Sequence, residues 1–238
     1  LKSEYIEEHK VARIICLGPP PRSVKKARKA LNDAFSDSWP RDTRAKVTIT
    51  PGGFVAVPFP KDWAGRSGWQ SKAVDIGPLY SCAEVIVREI LDESMLSLAA
   101  KRTDILTLGF DFIARKGGGG SHAELVAIIN LKTRVISWTG KSYPVVGQEK
   151  TLVHVTSVKS HFLEIGGERI LVLGCHDLNA FSNRSRPKDN SPRLKRQRTM
   201  REKSRMFRPT MVLHHPHSTD TDRIWQVAWC GVREHVWN

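Results

Sequence analysis

Three chemically reactive side chains follow one another at the end of an apolar run of the sequence. Large apolar residues occupy 170–173, a glycine follows, and then come Cys175, His176 and Asp177. A cysteine acts as a nucleophile or a metal ligand only as the thiolate, which requires a neighbouring base or a positive environment. Because neighbours on a strand point to opposite faces, His176 is a poor base for Cys175. A buried structural cysteine is the alternative interpretation.

A second segment that could carry chemistry lies upstream, in the stretch WTGKSYPVVGQE at 138–149. It places Lys141 in a predicted turn, Pro144 three residues later, and Glu149 after a glycine. Two predicted strands separate Lys141 from Cys175, so we expect the lysine to reach the thiol from another strand. Glu149 would either hold Lys141 in an ion pair or act as a base. The alternative for both residues is a solvated surface position.

The order of these residues resembles that of the carbon–nitrogen hydrolase (nitrilase/amidase) superfamily. Members carry a lysine in a K-x-x-P-like turn, then an acidic residue, and a strand later a cysteine in a motif like C-Y-D-x-x-F. Here the lysine is Lys141, the tripeptide CHD at 175–177 stands for C-Y-D, and Phe181 lies near the phenylalanine. The resemblance implies an α/β fold, a nitrilase-like αββα sandwich with mixed sheets, formed as a single domain by residues 1–238.

The resemblance also implies an activity. It would be an amidohydrolase acting on a small amide or nitrile through a thioester at Cys175, with Lys141 stabilising the oxyanion. No cofactor and no metal ion is expected, because members of the superfamily use none. Members commonly pair their subunits, so the resemblance implies a homodimer as well.

The sequence departs from the superfamily pattern at one position. Members carry a glutamate at the end of the second strand, which deprotonates the thiol and later the water. The matching stretch here is TPGGFVAVPFP, in which Pro51 and Phe54 align but Gly52 stands where the glutamate is expected. Either another base replaces it, or the fold has lost hydrolase activity and serves as a binding or interaction module. Asp111, at the end of a predicted strand, is one candidate replacement.

Three histidines follow another apolar run, in the stretch MVLHHPHS at 211–218. His-x-His spacing can put two rings on one side of an extended chain, and imidazole is a common metal ligand. No cysteine or carboxylate stands at zinc-like spacing, so we expect these rings to line the pocket beside Cys175. One of them could then form a Cys–His pair in place of the missing glutamate. The predicted catalytic residues are Cys175, Lys141 and Glu149, and the predicted substrate-binding residues are His176, His214, His215, His217, Phe54 and Asp111.

The order of the predicted strands and helices that must position these residues indicates an α/β protein with a mixed sheet. Open α/β sheets place ligands beyond the carboxyl ends of their strands. Three such ends carry chemically active residues, at 50–53, 174–177 and 214–217. Strands are predicted at 11–18, 45–60 (interrupted at 51–53), 104–112, 123–131, 151–158, 169–175 and 209–216, helices at 22–35 and 78–101, and a hairpin tip at Gly117–Gly120.

Composition limits the class of protein. Of the 238 residues, 40% are apolar and 26% are charged, which is typical of a globular chain with a sizeable core. The cysteines (Cys16, Cys82, Cys175 and Cys230) lie far apart without a C-x-x-C pair, which favours a reducing, cytoplasmic location over disulfides or structural zinc. No apolar run approaches the roughly 18 residues of a spanning helix, so no membrane partner is expected.

The net charge of +14 is concentrated in one basic segment, residues 184–208, which holds 11 Lys/Arg and 2 Asp/Glu. One interpretation is a solvated insertion followed by a charged helix face. The alternative is binding to the phosphates of a nucleic acid or to an acidic partner. The segment contains a single aromatic residue, Phe207, so base stacking has weak support.

Overall fold

The computed structural model describes residues 2–6, 11–15, 21, 23–61, 63, 76–114, 121–144, 148–217 and 222–237. Cys16 and the predicted hairpin tip at Gly117–Gly120 lie outside the described residues. The elements are β1 (Lys2–Ile6), β2 (Val11–Ile15), α1 (Val24–Ser36), β3 (Ala45–Ile49), β4 (Val55–Pro58), α2 (Gly77–Ile90), α3 (Glu93–Arg102), β5 (Thr103–Ile113), β6 (His122–Asn130), β7 (Ile136–Gly140), β8 (Phe162–Ile165), β9 (Glu168–Leu173), α4 (Pro192–Phe207), β10 (Met211–His214) and α5 (Asp222–Val236). Short 3-10 helices lie at Val158–His161 and Asp177–Ala180.

The strands form two sheets, both mixed. In the larger sheet the order is β1-β2-β3-β5-β6-β7, and β4 pairs with the second half of β5. The pairs β2–β3, β3–β5 and β4–β5 are parallel, whereas β1–β2, β5–β6 and β6–β7 are antiparallel. In the smaller sheet, β9 pairs parallel with β10 and antiparallel with β8. The predicted α/β class with mixed sheets is confirmed.

Side chains along β5 point alternately to its two faces and so into two different hydrophobic cores. Leu106 and Leu108 belong to the core that contains Leu31 of α1, together with residues of α2 and α3. Ile105 points the opposite way and packs with Ile170 of β9 in the core between the two sheets. On the far side of the smaller sheet, α4 and α5 cover a third core. The layers are therefore helix, sheet, sheet and helix, which is the αββα sandwich expected from the sequence.

The predicted helix at 78–101 is two helices. Leu91 leaves the helical conformation, with φ −106° and ψ 67°. The carboxylate of Asp92 then caps α3 by accepting a hydrogen bond from the backbone N–H of Met95 at 3.0 Å. A capping residue in the middle of a helical apolar pattern therefore starts a new helix. No helix within the described ranges is long and apolar enough to cross a membrane.

The predicted strand at 151–158 is wrong. It forms a single bridge, between Leu152 and His122. The backbone N–H of Val153 bonds to the carbonyl of His122, but that of Val155 bonds to the carbonyl of Lys141. The segment crosses the ends of two strands and cannot extend one ladder, although its apolar side chains are buried.

Candidate active site

Five side chains from five strands meet at one end of the two sheets, and we call them the Cys175 site. Cys175 follows β9 and His217 follows β10, its parallel neighbour. Lys141 directly follows β7. Asp111 and Glu124 are cross-strand partners on β5 and β6. The parallel pairing of β9 and β10 explains why residues distant in sequence emerge at the same edge.

Cys175 is nearly buried, with 4% of its surface exposed. Its sulfur accepts a hydrogen bond from the backbone N–H of His217 at 3.5 Å. Burial raises the pKa of this thiol, but hydrogen bonds from the His176 and His217 side chains lower it more, so that the pKa lies at about 6. The thiolate is therefore the main form at neutral pH, which is the form that nucleophilic attack requires.

His176 interacts with the sulfur because the chain turns after β9. Cys175 and His176 form a turn and do not continue the strand. The alternation of strand side chains, which argued against His176, therefore does not apply to it. Nδ1 of this ring also lies 3.0 Å from Lys141 Nζ, so His176 links the thiol to the lysine.

Asp177 holds this turn against the end of β7. Its buried carboxylate accepts hydrogen bonds from the backbone N–H groups of Gly174 at 2.9 Å, Ser142 at 2.9 Å and Tyr143 at 2.6 Å. A side chain at Gly174 would lie 3.0 Å from the backbone of Lys141, so the glycine permits the close approach of the two chains. Asp177 thus braces the loop that follows Cys175.

His217 lies between two carboxylates. Its Nε2 is 2.6 Å from Asp111 Oδ1, and its Nδ1 is 3.5 Å from Glu124 Oε2. Burial lowers the pKa of this imidazole, but the hydrogen bonds to Asp111 and Cys175 and the charge of Glu124 raise it to about 10. Cys175 and His217 therefore form a thiolate–imidazolium pair.

Lys141 is fully buried, and Glu124 neutralises it. The distance from Lys141 Nζ to Glu124 Oε1 is 2.7 Å. Burial raises the pKa of the Glu124 carboxyl, but the hydrogen bond to His122 and the charges of Lys141 and His217 lower it to about 2. The lysine thus reaches the site with its charge compensated, as a buried ammonium requires.

The acidic partner of Lys141 differs from the predicted one. Glu149 pairs with Arg193 of α4 at 3.6 Å, and 37% of its side chain is exposed. The sequence interpretation missed Glu124, although it is the one charged residue in the apolar run AELVAIINL at 123–131. A lone carboxylate inside a buried strand requires a partner, and that signal could have identified it.

Three predicted substrate-binding residues lie away from solvent. His214 Nε2 donates to the Cys175 carbonyl oxygen at 2.7 Å, and its ring packs 4.7 Å from that of Trp225. Burial lowers the pKa of His214 to about 4 and that of His215 to about 3, so both rings are neutral. Phe54 is fully buried in the core beneath the helices. These positions favour support of the site over contact with a substrate, because all three rings are buried.

Gly52 lies beside the site, as its place in the sequence pattern predicts. Its backbone N–H donates to the Pro216 carbonyl at 2.9 Å, which ties the end of β3 to the loop that carries His217. The position where a glutamate was expected is therefore adjacent to the His217 ring.

Three groups of the site have the separation of metal ligands. One ligand atom each from Glu124, Cys175 and His217 lies within 4.8 Å of the other two. Thiolate, imidazole and carboxylate together would suit zinc. Each of these groups already has a charged partner in the chain, since Glu124 pairs with Lys141, and His217 lies against Asp111 and Cys175. The ion-pair network accounts for the cluster through the residues of this chain.

At least three of the 11 basic residues in the segment 184–208 make contacts within the fold. Guanidinium groups of α4 donate to backbone carbonyls or lie over an aromatic ring, which favours the packing interpretation over phosphate binding. The contacts are Arg193 over the Tyr143 ring at 5.0 Å, Arg196 to Thr156 O at 2.5 Å and Arg201 to Ala180 O at 2.8 Å. Nucleic-acid binding by this segment stays a prediction.

Solved structures share this architecture, although no protein-family model and no curated protein matches the chain. A cysteine-to-alanine variant of the Nesterenkonia AN1 amidase from the nitrilase superfamily has a TM-score of 0.52 at 13% identity, over 94% of this chain and 72% of that one. A glutamate-to-leucine variant of the same amidase, with the acetamide moiety of fluoroacetamide added covalently at the active site cysteine, has a TM-score of 0.53 at 16% identity with the same coverage. Saccharomyces cerevisiae Nit3, a member of branch 10 of the superfamily, has a TM-score of 0.50 at 14% identity, over 94% and 70% of the two chains. The chain therefore has the carbon–nitrogen hydrolase fold of the nitrilase superfamily, as its sequence pattern predicted.

Proposed function

We propose that this protein is a cysteine-dependent hydrolase that cleaves a small amide through a thioester at Cys175. The observation that supports it most is the buried Cys175 thiolate, held by His176 and His217 at a sheet edge that also carries Lys141. A structural cysteine in an apolar core would have its pKa raised, whereas this one is lowered to about 6. The contacts of Cys175 with the His176 and His217 imidazoles thus stabilise the thiolate form of the nucleophile.

The charges of the site define the first step. The Cys175 thiolate attacks the carbonyl carbon of the amide, and the carbonyl oxygen takes the negative charge. Lys141 is the cation suited to that oxygen, because an ammonium has three N–H donors and the described residues take two of them, at Glu124 and His176. In a buried setting such a preset charge lowers the barrier more than it would in water.

The following steps complete the hydrolysis. The carbon–nitrogen bond breaks as the nitrogen gains a proton, which releases ammonia and leaves an acyl group on the Cys175 sulfur. A water molecule then gives up a proton as it attacks the thioester, and the carbon–sulfur bond breaks to give a carboxylic acid and the thiolate. Because only 4% of Cys175 is exposed, the reacting end of the substrate must be slender.

The proteins that share this fold support the proposal. One is an amidase whose active site cysteine takes the acetamide moiety of fluoroacetamide as a covalent adduct. The alternative function is a binding or interaction module that has kept the fold and lost the hydrolase activity. Gly52, in place of the expected glutamate, is the feature that favours this alternative.

Ammonia release from a panel of small primary amides and nitriles tests the proposal. We expect the protein to release ammonia from at least one amide and Cys175→Ala to release none. Cys230→Ala is the matched control, since Cys230 is exposed on α5, and it should keep full activity. Absence of both ammonia release and a fluoroacetamide adduct at Cys175 would favour the binding module.

A further inference from the structure

Gly52 and Gly53 provide space that His217 and Asp111 occupy. A Cβ at Gly52 would lie 2.8 Å from His217 Cε1 and Nδ1, and a Cβ at Gly53 would lie 2.5 Å from Asp111 Oδ2. Side chains at these two positions would therefore collide with the pair. We infer that His217 is the proton carrier of the Cys175 site, that Asp111 positions its ring, and that the two glycines make room for both. The inference rests on the proposed function, because it names the acid–base group of that reaction.

The hydrogen bond to Asp111 fixes how His217 presents its ring. At 2.6 Å, Nε2 is committed to the Asp111 carboxylate, which leaves Nδ1 for proton exchange. One nitrogen of this ring lies within 4.8 Å of the Cys175 sulfur, and the His217 backbone N–H points at the same atom. A carboxylate that orients an imidazole beside a nucleophile is the arrangement that general acid–base catalysis requires.

The other groups near the thiol are less suited to this role. Glu124 has a pKa of about 2, despite its burial, because His122, Lys141 and His217 stabilise the carboxylate, and so acidic a group is a weak base. Nδ1 of His176 is engaged by Lys141 Nζ at 3.0 Å. His217 alone among these three groups combines contact with the thiol and a carboxylate that orients its ring.

The proton balance of the reaction follows from this assignment. The resting state is the Cys175 thiolate paired with the His217 imidazolium. After the thiolate has attacked, the imidazolium gives its proton to the amide nitrogen, and ammonia leaves. Neutral His217 then takes a proton from the water that attacks the thioester. Release of the carboxylic acid restores the thiolate and the imidazolium, so each turnover consumes one amide and one water.

An activated ester separates the two halves of this cycle. Nitrophenolate leaves without a proton, so p-nitrophenyl acetate should acylate Cys175 even where His217 is absent. At about pH 9, above the ordinary thiol pKa of about 8.5, the thiolate forms without help from an imidazolium. We expect His217→Gln to release one equivalent of nitrophenolate and then to turn over about 10²–10⁴-fold more slowly than the unmodified protein. Intact-mass spectrometry should show the acetyl group accumulating on Cys175.

A second variant and a control keep the test independent of folding defects. Asp111→Asn retains the shape of the orienting side chain and should slow deacylation about 10–100-fold with the same accumulation of acetyl-Cys175. His235→Gln removes a histidine that bonds to Arg205 near the end of α5 and should change neither phase. Thermal unfolding of each variant verifies that it is folded.

The outcomes distinguish this inference from the proposed function. A wild-type protein whose release of nitrophenolate does not depend on Cys175 would overturn the proposed function. A wild-type protein that turns over nitrophenyl acetate through Cys175, together with unchanged deacylation in His217→Gln and Asp111→Asn, would overturn the inference and leave the function standing. Accumulation of acetyl-Cys175 in both variants, and in neither the wild type nor His235→Gln, is the expected result.

Discussion

A single methyl group at Gly53 should disable the Cys175 site. Gly53 has a φ of +59°, and a Cβ there would meet Asp111 Oδ2 at 2.5 Å. The left-handed backbone costs an L-residue about 1–2 kcal/mol. Displacing Asp111 from His217 would also weaken a charged hydrogen bond of about 1.5–3 kcal/mol. Gly53→Ala should therefore lower the free energy of unfolding by roughly 2.5–5 kcal/mol.

Gly166→Ala is the matched control for this substitution. Gly166 has a φ of +60°, but the nearest atom to its Cβ would be Lys46 Nζ at 3.6 Å, an ordinary contact. It should lose only the backbone component of about 1–2 kcal/mol and keep full activity. Urea unfolding measures both stabilities, and deacylation of acetyl-Cys175 measures the site. Equal losses of stability, with normal deacylation in Gly53→Ala, would refute the role given to Asp111.

Two further predictions concern the charges around the site. Glu124→Gln leaves the fully buried Lys141 without its carboxylate and should lower the free energy of unfolding by about 3–5 kcal/mol. The control Glu149→Gln, which alters a partly exposed carboxylate, should lower it by about 0–1 kcal/mol. Urea unfolding measures both variants, and equal losses of stability would contradict a buried pair. Heteronuclear NMR should find His217 protonated at neutral pH, because hydrogen bonds and neighbouring carboxylates overcome burial and raise its pKa to about 10. The same spectra should find His215 neutral, because burial lowers its pKa to about 3; a His217 that titrates near its unperturbed pKa of about 6.5 would contradict the thiolate–imidazolium pair.

The layered fold was predictable because its strands are long apolar runs with chemistry at their ends. Residues 104–112 lie within β5, β6 covers all but the last residue of the predicted strand at 123–131, and Cys175 follows β9 as expected. Such runs predict buried strands, and the order of strands and helices predicts an α/β protein with a mixed sheet, whereas the αββα sandwich was predicted from the family resemblance. The order of Lys141 and Cys175 added the specific family resemblance, and the fold that it implies is the one shared with the solved structures.

The partners within the site were less predictable because they depend on strand register. Glu124 faces Asp111 only through the pairing of β5 with β6, and neither residue is near Lys141 or His217 in sequence. The sequence pattern points to Glu149 because it follows the lysine closely along the chain, but in the structure Glu149 pairs with Arg193 of α4. Likewise, the sequence shows only that the expected glutamate side chain is absent at Gly52. In the structure, the ring of His217, which follows β10, occupies the space beside this glycine.

The pH dependence of Cys175 alkylation tests the central claim most directly. In a variant with Cys16, Cys82 and Cys230 changed to Ser, the rate of reaction with iodoacetamide reports the thiolate fraction of Cys175 alone. Burial and the Glu124 charge raise the pKa of this thiol, but the His176 and His217 rings lower it more, to about 6. The alkylation rate should therefore rise with pH and reach half its plateau near pH 6. A midpoint near the ordinary thiol pKa of about 8.5 would contradict an activated nucleophile at this site.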